Sequence, residues 1–349
     1  MRILYDARSV RTPAGRYIFQ GLTGAWAADA RVQRVYAAIP PDFDRSLLPP
    51  GVEPVEVRSR SWLSHVNRIR RAADRERVDV IFAPNAIAPR DARSVLYFQD
   101  LFHFRPRPAQ PHRVSRPLHR PLRAAWRRLT SSRSLLAVAV SREILSEVEP
   151  RMRVPTVLIP NGVDVGENRW RGDAASVLVA GGIGVRKDEA TAVRAWAAIP
   201  SARRRGLVLE VVGVEPAVRK SSLIGLARSL GIDDSVAITS GVSRTAYLER
   251  MARAKLVISC SQLEAFGLPV AEALAMGAPL ICSDAPAHLE LLERAGAGAS
   301  FATGAADDLA RHIERSLCVE LPPRLAHSPP GWSWTARARE HIDHYLARA

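Results

Sequence analysis

A strand, a loop and a helix follow one another in LVISCSQLEAFGLPVAEALAMG, residues 256–277. The apolar run Leu256-Val257-Ile258 predicts a buried parallel strand. After a polar loop, Pro269 is tolerated in the first turn of a helix, where a backbone N–H has no intrahelical partner, and Gly277 marks the helix end. This order predicts one unit of a doubly wound α/β sheet.

Two carboxylates, Glu264 and Glu272, flank the predicted start of this helix, and Phe266, Gly267 and Leu268 lie between them. The first amides of a helix lack intrahelical partners, and the aligned peptide dipoles place about half a positive charge there. Such a site suits a diphosphate, which Gly267 would let approach the backbone closely. The carboxylates would be repelled by phosphate and are better suited to accept hydrogen bonds from hydroxyls of a sugar ring and of a ribose. The alternative is a strand-loop-helix unit with two solvated glutamates.

Length and composition indicate a globular protein of two domains. The chain has 349 residues, more than one core usually serves, and its 47% hydrophobic and 24% charged residues are ordinary. Met1 leads directly into the apolar run Ile3-Leu4-Tyr5, which we interpret as a strand and not as a signal peptide, so a cytoplasmic location is expected. The three cysteines lack metal-type spacing and are predicted to be reduced core thiols: Cys260, Cys282 and Cys318.

Nearly all of the net charge of +15 lies in the first half of the chain. Residues 1–165 hold 28 arginines and 15 acidic residues, and between Asp100 and Glu143 there are ten arginines and no acidic residue. A cationic face of this kind attracts phospholipid headgroups, lipid-linked phosphates or nucleic acid. A nucleic-acid-binding protein is the less favoured alternative, because few aromatic residues lie among the arginines and no nucleic-acid module is recognised.

Strands and helices alternate in both halves of the chain. The first half is predicted to hold strands at 3–5, 35–39, 78–82, 94–98, 135–140 and 157–159, and helices at 17–28 and 65–75. The second is predicted to hold strands at 176–180, 207–212, 236–239, 256–259 and 279–282, and helices at 188–198, 217–230, 244–254, 269–276 and 305–317. The proline-rich stretch 40–54 is predicted to be a surface loop. The turn signal Pro160-Asn161-Gly162-Val163-Asp164 separates two doubly wound domains, whose ligands are expected beyond the carboxyl ends of the strands.

The chain resembles the retaining glycosyltransferases of family 4, which have the GT-B fold. The resemblance rests on MRILYDAR at 1–8 with Gly15-Arg16-Tyr17, Gln99-Asp100-Leu101, Val140-Ser141, PNGVD at 160–164, 181–187, Gly241-Val242-Ser243 and 261–277. It implies a Rossmann-like acceptor domain at 1–165, a Rossmann-like donor domain at 166–331, and a terminal helix at 332–349 that packs back on the first domain.

The resemblance also implies how the second domain holds a nucleotide-sugar donor. Lys187 and Arg186 follow Gly181 and Gly182 and would bind the diphosphate without a metal, since fixed cations and helix amides stabilise such a leaving group. Many relatives carry an arginine where this chain has Gly182. Val242 would border the base, Glu264 would orient the transferred sugar, and Glu272 would hold the ribose. The alternative for Lys187 is a solvated surface lysine.

In the first domain the resemblance implies that the Gly15 loop closes over the diphosphate. Arg16 could pair with Asp6 or meet the acceptor, and the sequence leaves both open. The relatives have His-Asp where this chain has Gln99-Asp100, and glutamine can bind a hydroxyl but cannot transfer a proton near neutrality. His103 could reach the site if its loop turns back, and a loop histidine is the alternative.

We therefore expect a metal-independent hexosyltransferase that retains the configuration of the anomeric carbon by front-face substitution. GDP-mannose is the first expectation for the donor, with a UDP-sugar as the alternative. The acceptor is expected to be a glycan or a lipid-linked intermediate of cell-envelope or polysaccharide synthesis, met at an anionic inner membrane face. A non-catalytic protein that binds a sugar nucleotide or glycan through a degenerate site is the alternative function.

Overall fold

The computed structural model describes residues 1–59, 61–84, 87–100, 132–182, 184–204, 206–213 and 217–348. These residues form two compact units, Met1–Gly162 with Gly331–Ala349 and Val163–Pro330. Each unit is an α/β body with its own sheet, as the resemblance predicts for a GT-B chain. In the described part of the chain, no helix combines the length and the hydropathy needed to cross a bilayer.

The first unit is built on seven parallel strands in the order β3-β2-β1-β4-β5-β6-β7. Chain order reverses between the neighbours β1 and β4, so this is a doubly wound sheet. Its strands are β1 Arg2–Asp6, β2 Arg34–Ile39, β3 Val52–Glu56, β4 Val80–Pro84, β5 Ser94–Phe98, β6 Leu136–Ala139 and β7 Thr156–Leu158, and its first helices are α1 Pro13–Ala27, α2 Trp62–Arg75 and α3 Arg142–Val148.

Two predictions for the first unit are wrong in detail. The stretch 40–54 is not wholly a loop, because Val52–Glu56 pairs with β2 as an edge strand, the position in a sheet where a proline such as Pro54 is tolerated. Helix α1 begins at Pro13 and not near Tyr17, because Thr12 caps it by accepting a hydrogen bond from the Gly15 amide.

The second unit has six parallel strands in the order β10-β9-β8-β11-β12-β13, which reverses between β8 and β11. The strands are β8 Ser176–Val179, β9 Val208–Gly213, β10 Val236–Ser240, β11 Leu256–Ser259, β12 Leu280–Ser283 and β13 Ala299–Phe301. The helices are α4 Glu189–Ala198, α5 Ser201–Arg204, α6 Ala217–Ser229, α7 Arg244–Arg253, α8 Leu268–Met276, α9 Pro286–Ala295 and α10 Ala306–Cys318. The short strand β13 and the helix α9 were not predicted. Cys260 and Cys282 are buried as predicted, whereas Cys318 is exposed at the end of α10.

The final helix, α11 Trp334–Leu346, packs in the first unit against α1. Trp334 fills a slot between two glycines: a Cβ on Gly21 would lie within 2.5 Å of the indole, and one on Gly162 would lie 2.7 Å from the Trp334 backbone. Further along α11, the buried His341 ring lies edge-on to Trp26 at 5.9 Å. The close fit of the Trp334 side chain against two glycines explains why the final helix packs against α1.

Candidate active site

The predicted site residues of the second unit lie in loops at the carboxyl ends of its strands. The loop after β8 carries Gly181 and Lys187, and the loop after β11 carries Glu264 and Gly267. Because β8 and β11 are neighbours at the point where chain order reverses, these two loops flank the crevice where open α/β sheets bind ligands.

Lys187 ends a short 3₁₀ turn, Val185–Lys187, that leads into α4. A Cβ on Gly181 would lie 3.6 Å from Lys187 Nζ and 3.6 Å from Pro269, which places the lysine against the start of α8. The next residue, Asp188, has a φ of +50°, a left-handed conformation that is uncommon for a residue other than glycine. Its carboxylate accepts hydrogen bonds from Thr191 and Gln262, which hold this turn in place.

The carboxylate of Glu264 is buried and paired with both predicted cations. Its Oε1 forms an ion pair with Lys187 Nζ, and its Oε2 lies 3.6 Å from Arg186 NH1. Burial alone would raise the pKa of Glu264, but Lys187, Arg186 and His288 outweigh it and lower that pKa to about 2. Glu264 is therefore ionised at neutral pH and suited to accept hydrogen bonds, not to donate a proton.

Gly267 is the N-cap of α8 with a φ of +91°, and a Cβ on it would lie 2.9 Å from the ring of His288 in α9. Ser283 Oγ donates to the Ser261 carbonyl at 2.5 Å, so His288 Nδ1, 3.0 Å from that Oγ, carries the ring proton. His288 Nε2 is buried and has no hydrogen-bond partner among the described residues. Burial lowers the pKa of His288 to about 4, although the Glu264 charge opposes this, and the ring is neutral at pH 7.

Glu272 lies inside α8 and pairs with an arginine that the sequence analysis did not single out. Arg244 NH1 is 2.8 Å from Glu272 Oε1, and the glutamate side chain is only 3% exposed. Burial raises the pKa of Glu272, and the charge and hydrogen bond of Arg244 counteract the rise. The predicted base-side residue, Val242, is half-buried just before α7, after Gly241 with its φ of +70°.

The first-unit residues lie at the carboxyl end of their own sheet. Gly15 is in the first turn of α1, and its amide is already bonded to Thr12 Oγ1 at 3.0 Å. Arg16 is exposed near Asp44, whereas Asp6 is bonded to His65 at 2.8 Å. Gln99 and Asp100 follow β5 and are half-buried, and β4 separates β5 from β1 in the sheet. His103 lies outside the described residues.

The structure thus brings Gly181, Arg186, Lys187, Glu264 and Gly267 together, with Phe266 buried and Leu268 at the first position of α8. Sequence reasoning missed Arg244, His288 and also Glu189, whose buried carboxylate accepts the Gly184 amide and holds the Lys187 loop. Contacts between residues that are distant in the chain cannot be predicted from local spacing. For His288 there was a local signal, because it follows a predicted strand at about the same distance as Glu264 does.

Two family models match consecutive parts of the chain. Glycosyltransferase Family 4 matches residues 16–167, and Glycosyl transferases group 1 matches residues 164–324. Together with the two doubly wound sheets, these matches show that the chain has the GT-B fold and that each of its halves is similar to a glycosyltransferase family.

Individual proteins are similar to the chain as well. The lipopolysaccharide glucosyltransferase WaaG of Escherichia coli strain K12 is 26% identical over 158 residues, which are 45% of this chain and only 39% of that protein. HepE from Anabaena, solved in complex with UDP and glucose, is similar with a TM-score of 0.69 and 17% identity, over 100% of this chain and 95% of that one. Sucrose-phosphate synthase from Thermosynechococcus elongatus gives a TM-score of 0.66 and 16% identity, over 99% and 94%. At such identities the likeness of the solved structures shows the fold alone.

Proposed function

We propose that this protein transfers a hexose from a nucleoside diphosphate sugar to a hydroxyl of a glycan or lipid-linked acceptor, with retention at the anomeric carbon. The observation that carries the proposal is the cluster of Lys187, Arg186 and the ionised Glu264 at the N-terminus of α8. Cations and helix amides on one side of a sheet crevice suit a departing diphosphate, and an ionised carboxylate beside them suits the hydroxyls of the attached sugar.

Each residue has a defined task in this reaction. Lys187 and Arg186 stabilise the charge that develops on the leaving diphosphate, and Gly181 and Gly267 let it approach the backbone. Glu264 orients the sugar, and Glu272 accepts hydrogen bonds from the ribose. Because the pKa of Glu264 is about 2, this carboxylate cannot act as a general acid at neutral pH, and the leaving phosphate is the base that helps deprotonate the acceptor. The positive charge for this step comes from side chains and helix amides, so we propose that no metal is needed.

The donor is proposed to be a UDP-hexose or GDP-mannose. The chain resembles mannosyltransferases at its start, whereas one relative is named a glucosyltransferase and another was solved with UDP and glucose. We give UDP-glucose the first place in the test because one relative is named a glucosyltransferase and HepE was also solved with UDP-glucose. The basic first half of the chain supports an anionic acceptor, such as a lipid-linked glycan at a membrane surface.

Gln99 favours a second candidate function. The amide of Gln99 cannot exchange a proton, whereas relatives have a histidine at this place. The alternative is therefore a protein that binds the sugar nucleotide but transfers its sugar poorly or not at all. Gln99 and Asp100 are proposed to contact hydroxyls of the sugar or acceptor, together with Arg16 and His103.

A thermal-shift screen with UDP, GDP, UDP-glucose and GDP-mannose tests the proposal. A ligand at a hundred times its Kd adds about 2.7 kcal/mol to the free energy of unfolding, so one base should raise the melting temperature by several degrees. Lys187→Ala and Glu272→Ala should abolish the shift, whereas Lys255→Ala, an exposed lysine, should keep it. Release of the nucleoside diphosphate from the binding sugar nucleotide, with an anomerically retained product by NMR, separates an enzyme from a binding protein. A flat response to every nucleotide would contradict both functions.

A further inference from the structure

Arg244 occupies an unusual place for an arginine. It is the first residue of α7, where the helix dipole disfavours a positive charge. Its guanidinium spans two groups: NH1 is 2.8 Å from Glu272 Oε1 and NH2 is 3.3 Å from the Asp164 carbonyl oxygen. The position of the Arg244 guanidinium is therefore explained by its pairing with Glu272 on α8, since the charge does not stabilise α7.

The carboxylate that receives this arginine is buried. Glu272 is 2% exposed, and removing a charge from water is costly unless a partner and hydrogen bonds compensate for the lost hydration. Two titratable groups of α7 face it, Arg244 and Tyr247, whose hydroxyl is buried and has no hydrogen-bond partner among the described residues. From α9, His288 lies against Gly267 and interacts electrostatically with Glu264, and both of these residues precede α8. Within the described part of the chain, Arg244 is the cation that forms an ion pair with Glu272.

We propose that Arg244 is a positioning residue of the ribose subsite: it keeps Glu272 ionised and fixes one carboxylate oxygen, so that the glutamate can accept hydrogen bonds from the two ribose hydroxyls. This inference rests on the proposed function, because it assigns Arg244 a task that is carried out through Glu272. An ionised carboxylate forms stronger hydrogen bonds with hydroxyls than a protonated one, and it has no proton that competes for them.

The test compares Arg244→Gln with Arg250→Gln, a matched control. Arg250 lies on the same helix, its side chain is 37% exposed against 38% for Arg244, and it pairs with Glu210 instead. Calorimetry measures the Kd of UDP and GDP and of the 2′,3′-dideoxy form of whichever binds. We expect Arg244→Gln to raise the Kd of the nucleotide about tenfold, as for the loss of one hydrogen bond to a charged group. The Kd of the dideoxy form should not change. Arg250→Gln should change neither.

A pH profile separates this task from a merely structural one. Burial raises the pKa of Glu272 and Arg244 opposes that rise, so without the arginine the carboxylate is protonated at a higher pH. As pH is lowered, the affinity of Arg244→Gln should therefore begin to fall at a higher pH than that of the wild type, and Arg244→Lys should restore the wild-type profile.

A double-variant cycle keeps the inference testable if Arg244→Gln lowers stability. In the Glu272→Gln background, where no carboxylate remains to be ionised, Arg244→Gln should have no further effect on the Kd. An equal loss for UDP and dideoxy-UDP, or an additive loss in the double variant, would mean that Arg244 contacts the phosphates or base directly and would overturn the inference. Tighter binding by Arg244→Gln would also overturn it. A wild-type protein that binds neither UDP nor GDP would instead overturn the proposed function.

Discussion

The buried carboxylate of Glu264 links the candidate site to the stability of the second unit. Its pKa is about 2 in the folded protein against 4.5 in the unfolded chain, so its stabilising contribution is complete above pH 4.5 and is lost as pH falls towards 2. The wild type should therefore lose about 2 kcal/mol of unfolding free energy between pH 6 and pH 3 that Glu264→Gln does not lose. Urea unfolding at both pH values measures this difference.

The control for this prediction is Glu320→Gln, because the Glu320 side chain is 75% exposed and its pairing is weak. That variant should lose as much stability on acidification as the wild type. If Glu264→Gln and the wild type show parallel acid profiles, then the ion pair with Lys187 does not hold Glu264 ionised.

Sequence reasoning selected the candidate site residues that have a local signal in the sequence. Glu264, Gly267 and Lys187 each lie just after a recognisable strand, and the structure brings the three together. Arg244 was missed because its meaning depends on Glu272, 28 positions away in the chain and on another helix. A positive charge at the start of α7 is unfavourable for the helix itself. This unfavourable position is the signal in the sequence that could have drawn attention to Arg244.

At the scale of one element, the start of α8 depends on a residue without a side chain. Gly267 has a φ of +91°, and a Cβ there would lie 2.9 Å from the His288 ring, which Ser283 holds in place. Gly267→Ala should lower the free energy of unfolding by about 2–4 kcal/mol, from left-handed strain together with overpacking. It should also abolish the nucleotide-induced thermal shift, because the amides at the helix start would move.

Gly296 provides the matched control, since it ends α9 with a φ of +62° and has open space around the Cβ position. Gly296→Ala should cost only about 1–2 kcal/mol of backbone strain and should keep the nucleotide shift. Equal losses in the two variants would show that His288 yields to the added methyl group.

Among the elements, those with a clear apolar pattern and clear end signals were predictable. The strand at β11 and the helix at α8 carry a continuous apolar run and clear end signals, so their bounds were predicted within a residue or two. Strand β13 has three residues and too little pattern to be recognised, and β3 contains Pro54, which argues against a strand unless its edge position is known.

At the scale of the whole molecule, the chain closes its first unit with its last helix, and the Trp334 slot makes this closure testable. A Cβ on Gly21 would lie 2.4 Å from the Trp334 indole, whereas a Cβ on Gly24, one turn later on α1, would lie 3.4 Å from Pro49 Cβ. Gly24→Ala should be neutral or stabilise the protein by up to about 1 kcal/mol, because alanine favours a helix over glycine. Gly21→Ala gains the same helix preference but must displace a buried tryptophan, so it should destabilise the protein by about 1–3 kcal/mol.

Hydrogen exchange locates the effect. In Gly21→Ala the amides of α11 should exchange faster, while the amides of β8 and β11 in the second unit should keep the wild-type rate. The nucleotide should still protect the amides of α8 in this variant. Equal exchange of α11 in the two variants would show that Trp334 does not hold the last helix in place.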